Sequence, residues 1–200
     1  MTEVTITRGI PAGKRRAVAS LYWDAFGAKL RPALGDRVRG ERFIASVLNS
    51  EQVFCAQVDG AVLGVVGFYA GREGAIGFSY RELARQGSRL TAPWRALLLA
   101  VLARKPDRRE LLLDGLSVSP AARGTGIGTQ LIAAAVAEAR RQGKQAVRLS
   151  VVDSNPRARA LYERLGFVPD KTVSIGVFGR MFGFQKSTDM VLRVGQGGAV

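Results

Sequence analysis

Two hundred residues carry 30 Lys and Arg against 16 Asp and Glu, a formal charge of +14, with 47% hydrophobic and 23% charged residues. That is the length of one domain with a sizeable core and the balance of a soluble globular chain. The absence of histidine rules out Ser-His-Asp and Cys-His catalysis and most zinc sites, and a single cysteine, Cys55, rules out an internal disulfide.

The first ten residues hold no apolar core of signal-peptide length. The longest apolar run, 96–103, falls far short of the roughly 20 residues a spanning helix needs. A cytoplasmic chain with no membrane span is therefore expected. Residues 4–7 alternate and read as a first strand. Beyond the break at 10–13, Val18, Leu21, Tyr22, Ala25 and Phe26 recur at helical spacing. Residues 27–35, from Gly27 to Gly35, read as a helix end and a loop. Val38, Phe43, Ile44, Val47 and Leu48 predict a second helix that stops at Asn49-Ser50. Residues 52–58 and 61–69 read as strands around Asp59-Gly60, a dipeptide suited to a two-residue hairpin turn. Gly64 and Gly67 weaken the second of these strands and mark a candidate bulge.

Residues 70–110 then separate the third and fourth strands, and about forty residues are too many for a simple loop. Residues 79–86 and 93–104 predict two helices, the first with Ser79 as cap and the second opened by Pro93. The second is apolar almost all round, and such a helix must be buried. It can lie in the chain's own core, form a lid over a site, or supply half of a dimer interface.

Residues 111–118 form an apolar fourth strand, ended at Ser119-Pro120 because proline lacks the amide a strand needs. The loop Arg123-Gly124-Thr125-Gly126-Ile127-Gly128 follows, and then Ile127, Leu131, Ile132, Ala135, Val136 and Ala139 mark one face of a helix. Arg140 and Arg141 suit its C-terminal dipole, and Gly143 can close it. Residues 146–152 are a strand, so the unit predicts a parallel pair with a right-handed crossover. Asn155 and Pro156 make a helix start, and Gly166 a stop. Phe167-Val168 begins another strand, 171–186 reads as a loop or hairpin, 188–194 as a last strand and 195–200 as a flexible tail. One domain is expected over 4–194, with the helical insertion at 70–110.

Chemistry concentrates at 111–139. Glycines let backbone approach a ligand closely, the first helical turn leaves N–H groups unpaired, and Arg123 adds a full positive charge. Together they suit a phosphate or pyrophosphate. The spacing G-x-G-x-G at Gly124, Gly126 and Gly128 does not fit a dinucleotide fingerprint, and no lysine follows Gly128 as a P-loop requires. What fits is R-x-x-G-x-G at Arg123, Gly126 and Gly128. This stretch resembles the acetyl-CoA site of the GNAT superfamily of N-acetyltransferases. A second segment, from Asn155 to Phe167, resembles that family's late helix, whose tyrosine points at the thioester.

The resemblance implies a mixed, mostly antiparallel α/β sheet with a parallel βαβ pair at the acetyl-CoA site and helices on both faces. It implies acetyl-CoA as co-substrate, no metal, and an amine acceptor on a small molecule or a protein. The pantetheine arm would pair with backbone around Leu116, Ser117 and Val118, and the pyrophosphate would sit on Arg123, Gly124, Thr125, Gly126, Ile127, Gly128 and Thr129. Asn155 would contact the arm while also capping its helix. Tyr162 is the candidate general acid, since a phenol arrives protonated, or else it only packs the helix. Many family members carry a glutamate base where this chain has Gly115, so Asp114 is the candidate base, or else it stabilises a bulge there. The scattered arginines form no long basic block, so nucleic acid is not the expected partner. A non-catalytic acyl-CoA-binding regulator or a nucleic-acid-associated protein is the alternative, and a monomer or a homodimer is expected.

Overall fold

A computed structural model describes residues 3–69, 71, 74–76, 106–176, 179 and 183–195. Its central hairpin, β2 (Val53–Val58) and β3 (Ala61–Phe68), divides the hydrophobic residues between two cores. Val53, Cys55 and Val65 enter one cluster, while Phe54, Ala56, Val66 and Phe68 enter the other. Alternation along a strand puts these sets on opposite faces, so the sheet is covered on both. The turn between them places Asp59 at φ 49° and Gly60 at φ 73°, as a two-residue hairpin of this sequence requires.

The remaining strands are β1 (Thr5–Arg8), β4 (Glu110–Val118), β5 (Ala146–Val152), β6 (Val168–Ser174) and β7 (Lys186–Arg193). The described residues form a seven-stranded sheet in the order β1-β2-β3-β4-β5-β7-β6. Every pairing is antiparallel except β4 with β5. This is the mixed sheet that the resemblance implies. Helices α1 (Arg15–Leu34) and α2 (Arg37–Val47) cover one face; α3 (Ile127–Arg141) packs into the other cluster, which α4 (Pro156–Arg164) joins through Tyr162.

The helix end expected at Gly27 is not there: α1 runs unbroken for 20 residues to Leu34. The glycine serves packing. A Cβ on Gly27 would lie 2.9 Å from Cε2 of Trp23, and one on Gly40 of α2 would lie 1.8 Å from Cζ3 of the same indole. The ring of Trp23 is thus wedged between two bare helix positions. Pro32 falls within the last turn, where its missing amide leaves one intrahelical bond unmade close to the helix end, and Gly35 ends the helix at φ 86°.

Residues 171–174, expected in the loop or hairpin, continue β6, which pairs with β7 back to Lys186. This is an edge strand exposed along its whole length, which is why its sequence carries no apolar alternation. Arg148 on β5 ties this side together through ion pairs to Glu110 on β4 and Asp170 on β6. The helices expected at 79–86 and 93–104 and the tail at 196–200 lie outside the described residues. Among the described residues no helix is long and apolar enough to cross a membrane.

Candidate functional site

The site begins where β4 and β5 part. Their pairing covers only Glu110↔Ala146, Leu111↔Val147 and Leu112↔Arg148, whereas β3 stays with β4 as far as Val118. The opening coincides with a bulge. Gly67 opposes Gly115 but Phe68 opposes Leu113, so Asp114 is the extra residue. Beyond it, one edge of β4 has no strand partner among the described residues.

Which peptide groups face that opening follows from one bond. The Ser119 amide donates to Leu63 O at 2.8 Å, so the alternate residues Ser117 and Gly115 turn their peptide groups to β3. Leu116 and Val118 therefore turn theirs to the cleft. Ser117 is placed differently from its neighbours. It is buried, and its hydroxyl donates to Leu21 O at 2.7 Å, pinning α1 to the sheet. The carbonyl of Val118 accepts from Arg123 Nε at 3.2 Å, which holds that guanidinium at the mouth of the cleft.

The loop beyond β4 is shaped by its glycines and by one hydroxyl. Gly124 and Gly126 both adopt φ 86°, and Thr125 Oγ1 donates to Ala122 O at 2.7 Å. Gly126 caps α3, whose first intrahelical bond runs from the Gln130 amide to Gly126 O at 3.1 Å. The amides of Ile127, Gly128 and Thr129 precede that bond and carry the positive end of the helix dipole. Ile127 contributes only its amide, since its side chain is core. Gly128 stands where β4, α3 and α4 come close together. A Cβ there would lie 3.3 Å from Leu161 on α4, and 3.9 Å from both Leu116 and Val118. A glycine in the first turn thus keeps open the junction between β4 and α4.

On α4, Asn155 Oδ1 accepts from the Ala158 amide at 3.1 Å, so the helix-cap reading of this residue is observed. Tyr162 is buried, its ring 6.0 Å from that of Phe167, and burial pushes its hydroxyl up to about 12. It is protonated across the physiological range.

Asp114 sits in the bulge on the α1 side. Its carboxylate accepts from the Ile76 amide at 3.1 Å and from that of Ala75. Burial nevertheless wins over these two donors and pushes the carboxyl up to about 6. The same segment is tied to the end of α2 by a bridge between Leu48 and Ile76. Two aromatic residues of α1 that the sequence presents only as core complete this corner. Phe26 stands over Gly115, and the hydroxyl of Tyr22 lies in the space Gly67 leaves free. The sole signal for them is the pair of strand glycines opposite. Among the described residues no group of three His, Cys, Asp or Glu is arranged to hold a metal ion.

Comparisons with known proteins give the family and the fold. The model of the acetyltransferase (GNAT) family matches residues 15–167. Mycothiol acetyltransferase of Beutenbergia cavernae is 40% identical over 74 residues, which are 37% of this chain and 25% of that protein; the chain therefore spans about a quarter of that relative's length. A solved acetyltransferase aligns with a TM-score of 0.63 at 21% identity, over 95% of this chain and 99% of its own. The ribosomal-protein-S18-alanine N-acetyltransferase of Escherichia coli gives 0.61 at 18% identity, over 98% and 97%. YncA of Salmonella typhimurium, solved with its cofactor acetyl-CoA, gives 0.61 at 21%, over 98% and 96%. At these identities the structures establish a common fold.

Proposed function

The chain belongs to the acetyltransferase (GNAT) family, and from that premise we propose that it is an acyltransferase that moves the acetyl group of acetyl-CoA to a primary amine of a small molecule or protein, by direct attack in a ternary complex. The observation that carries the reading is the open edge of β4, which leads straight to the Gly126-capped start of α3. A strand edge and a helix N-terminus, in line, match a donor with an amide-bearing arm and a pyrophosphate.

In this reading Leu116 and Val118 pair with the amides of pantetheine, while Ser117 holds α1 against them. Arg123, Gly124, Thr125 and the amides from Gly126 to Thr129 hold the pyrophosphate. Asn155 spends its carbonyl oxygen on the cap, which leaves its amide N–H groups for the arm. Asp114 takes one proton from the incoming ammonium. The freed lone pair forms the C–N bond at the thioester carbon, the C–S bond breaks, and Tyr162 gives its phenolic proton to the leaving sulfur. The amine's second proton restores Tyr162, and Asp114 releases its own to solvent. A carboxyl that titrates near 6 is a stronger base than an ordinary carboxylate and is still ionised at neutral pH.

The test is calorimetric titration with acetyl-CoA, followed by a screen of amines for thiol release. Tyr162→Phe is expected to retain donor binding and to lose about ten-fold or more in turnover. A well-folded wild-type protein that binds no acetyl-CoA overturns the proposal.

A further inference from the structure

Tyr22 is 1% exposed, and its hydroxyl has no hydrogen-bond partner among the described residues. Such a group is costly: a buried hydroxyl without a partner forfeits the water it left behind, and phenylalanine would fill the same space without that loss. The fold goes further and makes room for it. A Cβ on Gly67 would lie 2.3 Å from the Tyr22 hydroxyl and 2.6 Å from the Ala75 methyl, so any larger residue on that strand position evicts the phenol. The same empty Cβ position lies 3.5 Å from Cβ of Asp114. The phenol oxygen and the methylene of Asp114 thus border one small niche, with Oδ2 of Asp114 beside the neighbouring space at Gly74. A carboxylate has about four acceptor positions, and the amides of Ala75 and Ile76 take two of those on Asp114.

We infer that Tyr22 is a positioning residue for Asp114: its hydroxyl, lodged in the space left by Gly67, donates to the Asp114 carboxylate when that carboxylate is charged. Protonation of Asp114 by the acceptor amine removes the charge and lets the phenol return to its unpartnered place. The phenol keeps its own proton throughout, because burial and the neighbouring Asp114 both raise its ionisation well above the ordinary value. Among the described residues two other titratable groups face this corner: Cys55 on β2, which burial pushes up to about 12 and so keeps neutral, and Tyr69, whose Cζ lies beside Asp114 Oδ2 in the space at Gly74. The inference rests on the proposed role of Asp114 as base.

The test is Tyr22→Phe, which preserves the ring. Without the donor, the charged form of Asp114 loses support, and the acid limb of kcat/KM moves up by about one pH unit. Activity then falls about five-fold at pH 6 and hardly at all at pH 8, while acetyl-CoA affinity is unchanged. In an Asp114→Asn background the same substitution changes nothing further. A second readout needs no turnover: the Asp114 carboxyl carbon, followed by NMR in protein labelled at aspartate, titrates higher in Tyr22→Phe than in wild type. An unmoved carboxyl titration, or an activity loss equal at both pH values, overturns the inference. A shifted carboxyl titration in a protein without acetyl transfer upholds the Tyr22–Asp114 contact and overturns the proposed function instead.

Discussion

The ring of Phe26 occupies the place of a side chain at Gly115: its Cζ lies 2.6 Å from where a Cβ on that glycine would stand. Position 115 is the one where the family resemblance implies a glutamate base. Here α1 has come down onto the strand and filled the space with an apolar ring. Gly115→Glu therefore does not restore a base. It overpacks the α1 contact and is expected to destabilise the fold by about 3 kcal/mol or more. Urea unfolding checks the value, and pairing the change with Phe26→Ala is expected to recover part of the loss.

The junction at Gly128 separates packing from binding. A methyl group on this glycine would stand 3.3 Å from the tip of Leu161, its nearest neighbour, and a leucine tip can yield by a few tenths of an ångström. Gly128→Ala therefore keeps the fold and gains about 0.5 kcal/mol from helix propensity. Gly128→Val reaches Leu116 and Val118 and closes the passage. It is expected to weaken acetyl-CoA binding about ten-fold or more, a loss of roughly 1.4 kcal/mol. Calorimetry beside thermal unfolding distinguishes the two outcomes.

Arg123 is tethered to the Val118 carbonyl yet exposed, so its charge acts through screened solvent. Arg123→Ala should weaken acetyl-CoA binding several-fold at low salt. The gap between variant and wild type should narrow at 1 M salt, where the Debye length is about 3 Å. A difference that ignores salt would assign Arg123 to loop geometry alone. Gly126→Ala acts through the backbone, since φ 86° strains any side chain, and should cost about 1 kcal/mol of stability at every salt concentration.

The signature stretch was legible because its chemistry is local. A proline that ends β4, glycines that adopt positive φ, and an Asn-Pro helix start act within a few residues, and each stands where the chain order implies. The Asp59-Gly60 turn and the α3 stripe were readable for the same reason. What escaped is what depends on contacts between distant elements. Gly27 looks like a helix stop until Trp23 is seen folded onto it. Lys171 to Ser174 looks like loop because an edge strand needs no apolar alternation. Tyr22 looks like core because the sequence carries its ring and not the missing partner of its hydroxyl.

Two carboxyls, one buried and one half-buried, are expected to respond to pH with opposite signs. Glu138 on α3, with its side chain 4% exposed, accepts from Arg141 Nε and Nη2 at 2.7 Å each and from Gln142 Nε2 at 2.6 Å, and pairs with Arg8 at 3.2 Å. The hydrogen bonds from Arg141, chief among these contacts, hold its carboxyl below the usual range. Its stabilisation is therefore present above the unfolded-state value and lost as pH falls through the lower folded one. Asp114 is raised to about 6 against an ordinary 3.8. Its charge opposes folding above pH 6, and that penalty fades as pH falls from about 6 towards 4. Glu138→Gln should thus lose about 1–3 kcal/mol at pH 7, with the loss shrinking in acid. Asp114→Asn should gain up to roughly 3 kcal/mol at pH 8, with the gain gone by pH 4, while acetyl transfer falls at all pH values. Urea midpoints of both variants and wild type at pH 8, 6 and 4 decide the matter. Slopes of the same sign would mean that desolvation does not dominate at Asp114, and a carboxylate already stabilised at low pH would be too weak a base for the role assigned to it.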